Sequence, residues 1–308
     1  MSSGEARPGP IVVGVERSER SRDALALGRT LAHAAGAGLL LVSVYPVGAR
    51  SATVEPGAYA RALQEEAEAA LDWVAAPLCG ARAEVRAVPC TSIPRGLHQI
   101  AATESALAIV VGTSHRGPFG RIVPGSVGER LLRGAPCPIA VATGGRRTRP
   151  LAQFARIGVG YVATPEGDAA LRAAAGLAAH TGAAVRVLSV VEPRDVSPAL
   201  PFVSDLDALE TTAREALASA IRRATGAAAG LLQIDGELAD GYPDDELARL
   251  SREVDLLVCG SSGHPRVGGF RLGSVSAGIL RKARCPLLVV ARGARDDFAA
   301  LAPAATAA

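Results

Sequence analysis

Two stretches of this chain set glycine and serine at spacings that suit a phosphate. The second, CGSSGHPRVGGFRLGSVS at residues 259–276, follows the apolar run at residues 255–258 and places Gly260, Gly263 and Gly273 ahead of Ser274. A loop of small residues leaving a strand lets backbone N–H groups approach an oxyanion, and the open amides of the next helix add about half a positive charge. Ser274 can cap that helix or donate its hydroxyl to a phosphate oxygen. The same residues also serve as plain turn residues and an N-cap, so the glycines alone divide evenly between the two readings.

Other chemistry is poorly supported by residue type and spacing. A Walker A loop needs Gly-Lys-Ser/Thr, yet Lys282 is the only lysine and falls inside the following helix. No G-x-G-x-x-G follows a first strand, where a dinucleotide fold carries it. His33, His98, His115, His180 and His264 make no H-E-x-x-H or similar ligand spacing, and no G-x-S-x-G elbow is present. Arg266 and Arg271, with Arg116 and Arg121 in the earlier stretch, read as solvated arginines that could draw in an anion. The acids Asp240, Asp244, Asp245 and Glu246 read as a helix start, where negative charge complements the dipole. Cys137 and Cys285 read as small core residues.

The elements that must hold these loops occur twice. GTSHRGPFGRIVPGSVGERLLRGAPCPIAVA, from Gly112, aligns without gaps on GSSGHPRVGGFRLGSVSAGILRKARCPLLVVA, from Gly260, so that Gly125-Ser126 meets Gly273-Ser274 and Cys137-Pro138 meets Cys285-Pro286. PIVVGVERSERSRDAL, from Pro10, and RIGVGYVATPEGDAAL, from Arg156, share an apolar strand, Gly14 or Gly160, and a polar turn into an Ala/Leu helix. Apolar runs predict strands at residues 11–15, 38–44, 83–88, 106–111 and 138–142, and again at 157–161, 184–191, 231–237, 256–259 and 287–290. In the first copy, three- and four-residue spacing predicts helices at 21–35, 59–75, 94–103 and 126–132.

Strand then helix, repeated, implies parallel pairing with right-handed crossovers. The expected fold is therefore α/β: two tandem copies of an open, doubly wound five-stranded parallel sheet, at residues 1–145 and 152–293, with a disordered tail at 294–308. Residues 144–150, GGRRTRP, have a linker's composition. Ligands of such sheets sit beyond the carboxyl ends of the strands, where the glycine loops lie.

Composition bounds the rest. The 308 residues exceed one ordinary domain, and with 49% hydrophobic but 3% aromatic residues the core must be built from Ala, Val and Leu. A net charge of +3, one lysine and few stacking platforms leave little support for nucleic-acid binding. Five cysteines without a C-x-x-C pair, a polar start broken by prolines, and no apolar run of about 20 residues predict a cytoplasmic protein with no membrane segment.

The spacing Gly260-x2-Gly263-x9-Gly273-Ser274 resembles the ATP-binding signature of the universal stress protein family, and CPLLVVA is similar to that family's last strand. The resemblance covers both copies, about residues 9–143 and 155–292. It implies an adenine nucleotide alpha hydrolase-like, Rossmann-like domain, domain pairing through the last strand, and a family containing both ATP-binding and non-binding members. Carried over, it places phosphate contacts of the second copy at Gly260, Gly263, Gly273, Ser274, Val275 and Ser276 and an adenine contact at Val190; Val162 stands where the family usually has Asp. The first copy keeps an acid at Glu16, the adenine-side Val44, and Gly112, Gly125, Ser126 and Val127, but has His115 at the second glycine and Gly128 in place of the Ser276 hydroxyl. A histidine there crowds the phosphate path, and a positive φ would suit it less than glycine.

The resemblance thus implies a stress-linked regulatory protein binding ATP, with or without Mg2+, mainly in the second copy. Its copies would pair within the chain, hydrolysis would be at most slow and incidental, and the last-strand edges at 138–142 and 287–290 invite association, with a homodimer expected. The alternatives are an ATP-hydrolysing or transferring α/β enzyme and a nucleotide-free interaction protein whose loops are relics.

Overall fold

The computed structural model describes residues 8–47, 56–78, 83–112, 115–116, 122–123, 130–143, 153–192, 206–227, 232–261, 278–279, 281–295 and 297–301. In the first copy the order is β1 (Ile11–Gly14), α1 (Glu19–Ala34), β2 (Leu39–Pro46), α2 (Pro56–Ala75), β3 (Ala83–Cys90), α3 (Ile93–Thr103), β4 (Ala108–Gly112), a small hairpin of β5 (His115–Arg116) and β6 (Ile122–Val123), and β7 (Ile139–Ala142). The second copy repeats it with β8 (Arg156–Gly160), α4 (Pro165–Thr181), β9 (Ala184–Val191), α5 (Leu206–Ala227), β10 (Ile234–Asp240), α6 (Pro243–Leu250), β11 (Leu256–Gly260) and β12 (Leu287–Val290). The predicted strands all form, with ends displaced by at most three residues.

Both copies enter one ten-stranded sheet, ordered β10-β9-β8-β11-β12-β7-β4-β1-β2-β3. Every pairing in it is parallel but one. The exception is the antiparallel seam of β12 with β7, where Leu287 faces Val141, Leu288 faces Ala140 and Val289 faces Ile139. The strand edges expected to invite a second chain are therefore satisfied inside this one.

Side chains alternate between two cores, as the two-residue strand period requires. One face holds Ile11, Val13, Val110 and Ala140 together with Ile157, Val159, Val258 and Leu288. The other holds Val12, Ile109, Val111 and Val141 with Leu257, Cys259, Leu287 and Val289, and receives Leu97 of α3 and Leu247 of α6. Each core runs across the seam, so the copies share their buried surface. Because β4, β7, β11 and β12 are covered on both faces, they read as unbroken apolar runs.

Helix α4 starts at Thr164, whose hydroxyl accepts the Gly167 amide at 3.1 Å, and ends at Gly182, whose φ of 70° closes the last turn. Among the described residues, no helix is long and apolar enough to cross a membrane.

The expectation of a disordered tail is corrected for residues 297–301. Asp297–Leu301 forms a 3-10 turn whose Phe298 is fully buried and whose Leu301 is buried, both in the core beneath α4. Before it, the Arg295 amide donates to Pro136 O at 3.1 Å and its guanidinium to the Ser105 hydroxyl at 3.2 Å. An Ala- and Pro-rich composition concealed one aromatic anchor.

Candidate functional site

In the first copy, the carboxyl ends of β1, β2 and β4 surround a cavity of about 250 Å³. Gly14, Val15 and Glu16 line it from the end of β1, residues 42–46 from β2, Leu63, Glu66, Ala67 and Ala70 from α2, and Gly112 from the end of β4. Small and β-branched residues keep this space open. Its size suits a nucleoside, near the lower end of small-molecule pockets.

The polar groups of the cavity are held by the first turn of α1. The Glu16 amide donates to the Ser21 hydroxyl at 2.9 Å, and the Ser18 hydroxyl donates to Glu16 Oε1 at 2.9 Å. Arg20 Nη1 lies 3.8 Å from the same carboxylate oxygen, and both Arg17 and Arg20 line the cavity. Glu16 remains largely exposed, able to accept hydrogen bonds from a ligand. Gly112 is forced by a close approach: a Cβ there would meet Arg20 O at 2.5 Å and Arg20 Cβ at 2.8 Å. The end of β4 thus presses on the helix start.

The matching region of the second copy is built differently. Tyr161 takes the position of Val15 and is buried, with its hydroxyl donating to Asp168 Oδ1 at 3.0 Å. Burial and then the Asp168 hydrogen bond hold the phenol above its ordinary pKa. Arg223 donates to both Asp168 oxygens, at 3.0 and 3.1 Å. In the first copy the corresponding strut between helices is Arg22 stacked 3.8 Å from the centre of the Trp73 ring. A groove of about 520 Å³ runs outside Tyr161, lined by Thr164, Asp168, Arg172, Ser219 and Arg223.

Glu166 of α4 takes the position of Arg20. It is 6% exposed, and its Oε1 accepts from Arg292 Nε at 2.6 Å, just past β12. Its Oε2 is buried with no hydrogen-bond partner among the described residues. Burial opposes the charge, but the Arg292 hydrogen bond and the amides of the helix start outweigh it and hold the carboxyl below its ordinary pKa. Gly260 mirrors Gly112 more loosely, with a Cβ there meeting Glu166 atoms at 3.0 Å.

The sequence-derived site is brought together in part. Glu16 and Val162 follow β1 and β8, Val44 and Val190 lie near the ends of β2 and β9, and Gly112 and Gly260 end β4 and β11. Gly125, Ser126, Val127 and Gly128, with Gly263, Gly273, Ser274, Val275 and Ser276, lie outside the described residues. His115 is extended and paired with Val123 in the hairpin, so the expectation of strain from a positive φ does not hold at that position. Arg17, Arg20, Tyr161, Glu166 and Arg292 were not singled out from sequence. The signal for three of them lay in aligning the two helix starts, ERSER against VATPE, where Arg20 meets Glu166.

Elsewhere, charged residues serve structure. Asp244 and Asp245 hold Lys282 Nζ at 2.7 and 2.6 Å, and these contacts raise the Lys282 pKa. Cys137 and Cys259 are buried, and burial pushes their thiols up to about 12. Among the described residues, no group of three His, Cys, Asp or Glu side chains could hold a metal ion.

Comparison with known proteins agrees with this architecture. The Universal stress protein family model matches residues 9–143 and 153–291. Universal stress protein Rv2005c of Mycobacterium tuberculosis is 31% identical over 190 residues, covering 61% of this chain and 62% of that relative. The crystal structure of a universal stress protein from Archaeoglobus fulgidus DSM 4304 superposes with a TM-score of 0.63 at 20% identity, covering 92% of this chain and 97% of that one. A putative universal stress protein from Pseudomonas aeruginosa UCBPP-PA14 gives 0.61 at 17% identity over 95% of each chain, and at these identities both show the fold alone. With two copies of the domain, matched along nearly the whole chain and joined through their last strands, this protein belongs to the universal stress protein family.

Proposed function

We propose that this chain binds an adenine nucleotide, with ATP as the candidate ligand, and acts as a stress-linked binding and regulatory protein. One observation carries the reading: the first copy holds an open cavity beyond its strand ends, with small walls, an exposed acid at Glu16 and arginines at 17 and 20. That is the crevice in which doubly wound sheets take their ligands. Glu16 can accept ribose or base hydrogen bonds, and Val44 offers an apolar wall to a base.

This reading moves the preferred site from the second copy to the first. The second copy has the complete glycine spacing, while its strand-end side carries Tyr161 and an apolar Val162 where the first copy has Val15 and Glu16. A cytoplasmic location fits the thiols of Cys90, Cys137 and Cys259, which form no disulfide. A homodimer would have to use the outer strands β3 and β10 or the helical faces, since β7 and β12 pair with each other.

Calorimetric titration of ATP into the full chain tests the reading. We expect one ATP bound, with binding lost in Val15→Tyr, which copies the second-copy residue into the first. Loss in Gly263→Asp with Val15→Tyr unaffected would move the site back to the second copy, and no binding at all would overturn the reading. Phosphate release should stay near background; steady turnover would favour an enzyme.

A further inference from the structure

The two copies carry opposite charge at one matching position beside the start of the glycine loop. Arg20 and Glu166 sit at the same place in their helices, each with its backbone against the glycine that ends the neighbouring strand, Gly112 or Gly260. Arg20 is 41% exposed and lines the cavity. Its contact with Glu16, at 3.8 Å and in solvent, is weak enough to be given up to a ligand. Glu16 and Glu66 line the cavity too, and among the described residues its cations are Arg17 and Arg20, the latter with its backbone against Gly112 at the end of β4. The cavity therefore sets an acid and a guanidinium side by side, on a helix start whose backbone lies against the glycine that ends β4.

In the second copy the carboxylate of Glu166 is buried and fixed by Arg292. A phosphate brought to that position would approach a buried carboxylate already held by Arg292. A buried charge is less screened than an exposed one and disfavours a like charge placed beside it. Arg292 does not offset this fully, because its Nε is already engaged by Glu166.

We infer that Arg20 is the residue with which the first copy reads the phosphate end of its ligand, and that Glu166 makes the second copy refuse polyphosphates, so that one chain takes one nucleoside polyphosphate. The inference rests on the nucleotide reading above and adds which side chain sets the preference for charge. A guanidinium can pair with phosphate oxygens through two parallel hydrogen bonds, which relieves the first copy of dependence on a loop altered at His115.

The test is equilibrium binding of ATP, ADP, AMP and adenosine to the full chain, in wild type and in Arg20→Gln, Arg20→Glu and Arg20→Lys. Arg20 is exposed enough for these variants to fold, and their thermal midpoints should match wild type. We expect Arg20→Gln to weaken ATP about tenfold to a hundredfold while adenosine changes little, Arg20→Glu to weaken ATP further, and Arg20→Lys to recover part of the loss. The ATP-to-adenosine affinity ratio is the deciding readout. If the chain binds ATP and this ratio is unchanged in Arg20→Glu, the role of Arg20 is overturned while the nucleotide reading stands. Two ATP molecules per wild-type chain would overturn the role of Glu166. Binding of neither ATP nor adenosine by wild type would overturn the nucleotide reading itself, and this inference with it.

Discussion

Gly112 and Gly260 occupy matching positions, yet the space around them differs by enough to separate their variants. Gly112→Ala must push the Arg20 backbone, 2.5 Å from the new Cβ, whereas Gly260→Ala meets Glu166 at 3.0 Å. We expect Gly112→Ala to cost about 1–3 kcal/mol in urea unfolding and Gly260→Ala clearly less; equal costs would refute the difference in packing. At Glu166 the folded-state pKa is depressed. Its contribution to stability is therefore present above the ordinary carboxylate value and lost as pH falls through the lower folded value. Glu166→Gln should be less stable than wild type at neutral pH by about 1 kcal/mol, allowing for the exposure of Arg292, and the gap should close as pH falls below the ordinary carboxylate range. A gap independent of pH would assign the effect to packing. Neither residue could be read from its type alone. Glu166 in a first helical turn looks like an ordinary dipole complement, and only its burial and its partner 126 positions away, Arg292, distinguish it.

Among the elements, strands were the most legible. Unbroken apolar runs such as LLVV at 287–290 permit no other placement in a sheet covered on both sides, and that strand forms where predicted. The edge strand β10 shifted, from 231–237 to Ile234–Asp240, because its alternation is weak and none of its residues is fully buried. Loops were legible only as spacing: the glycines and serines fix where a turn can occur, while the wall opposite is set by residues such as Tyr161, whose part depends on its hydrogen bond to Asp168. Within the sheet, the seam is the most sensitive element. Val289→Pro removes a backbone donor in a strand paired on both sides, and should abolish cooperative folding, read as loss of the unfolding transition and of a sharp gel-filtration peak. A variant that folds normally would show the seam to be dispensable.

The molecule as a whole has one pair of cores, not two separate sets. Residues from both copies pack in each, so heating should unfold the chain in a single transition with equal calorimetric and van't Hoff enthalpies. Two resolved transitions would show that the copies are energetically independent. The C-terminal anchor belongs to this scale, because Arg295 bonds the first copy while Phe298 fills the core under α4. Phe298→Ala should cost about 3–5 kcal/mol and lower the one midpoint, and removal of residues 297–308 should do the same.

The antiparallel seam has a consequence for how this chain can change over generations. Two separate molecules of a single copy, joined across such a seam, would be related by a two-fold axis, and any substitution in one gene would alter both sides at once. Here the two sides are encoded separately while the geometry of the axis is retained. A residue in one copy can therefore be replaced without imposing the same replacement in the other, as Arg20 in the place of Glu166 and Trp73 in the place of Arg223 record. Joined in one chain, the halves can diverge in side chains while the seam between them keeps its register.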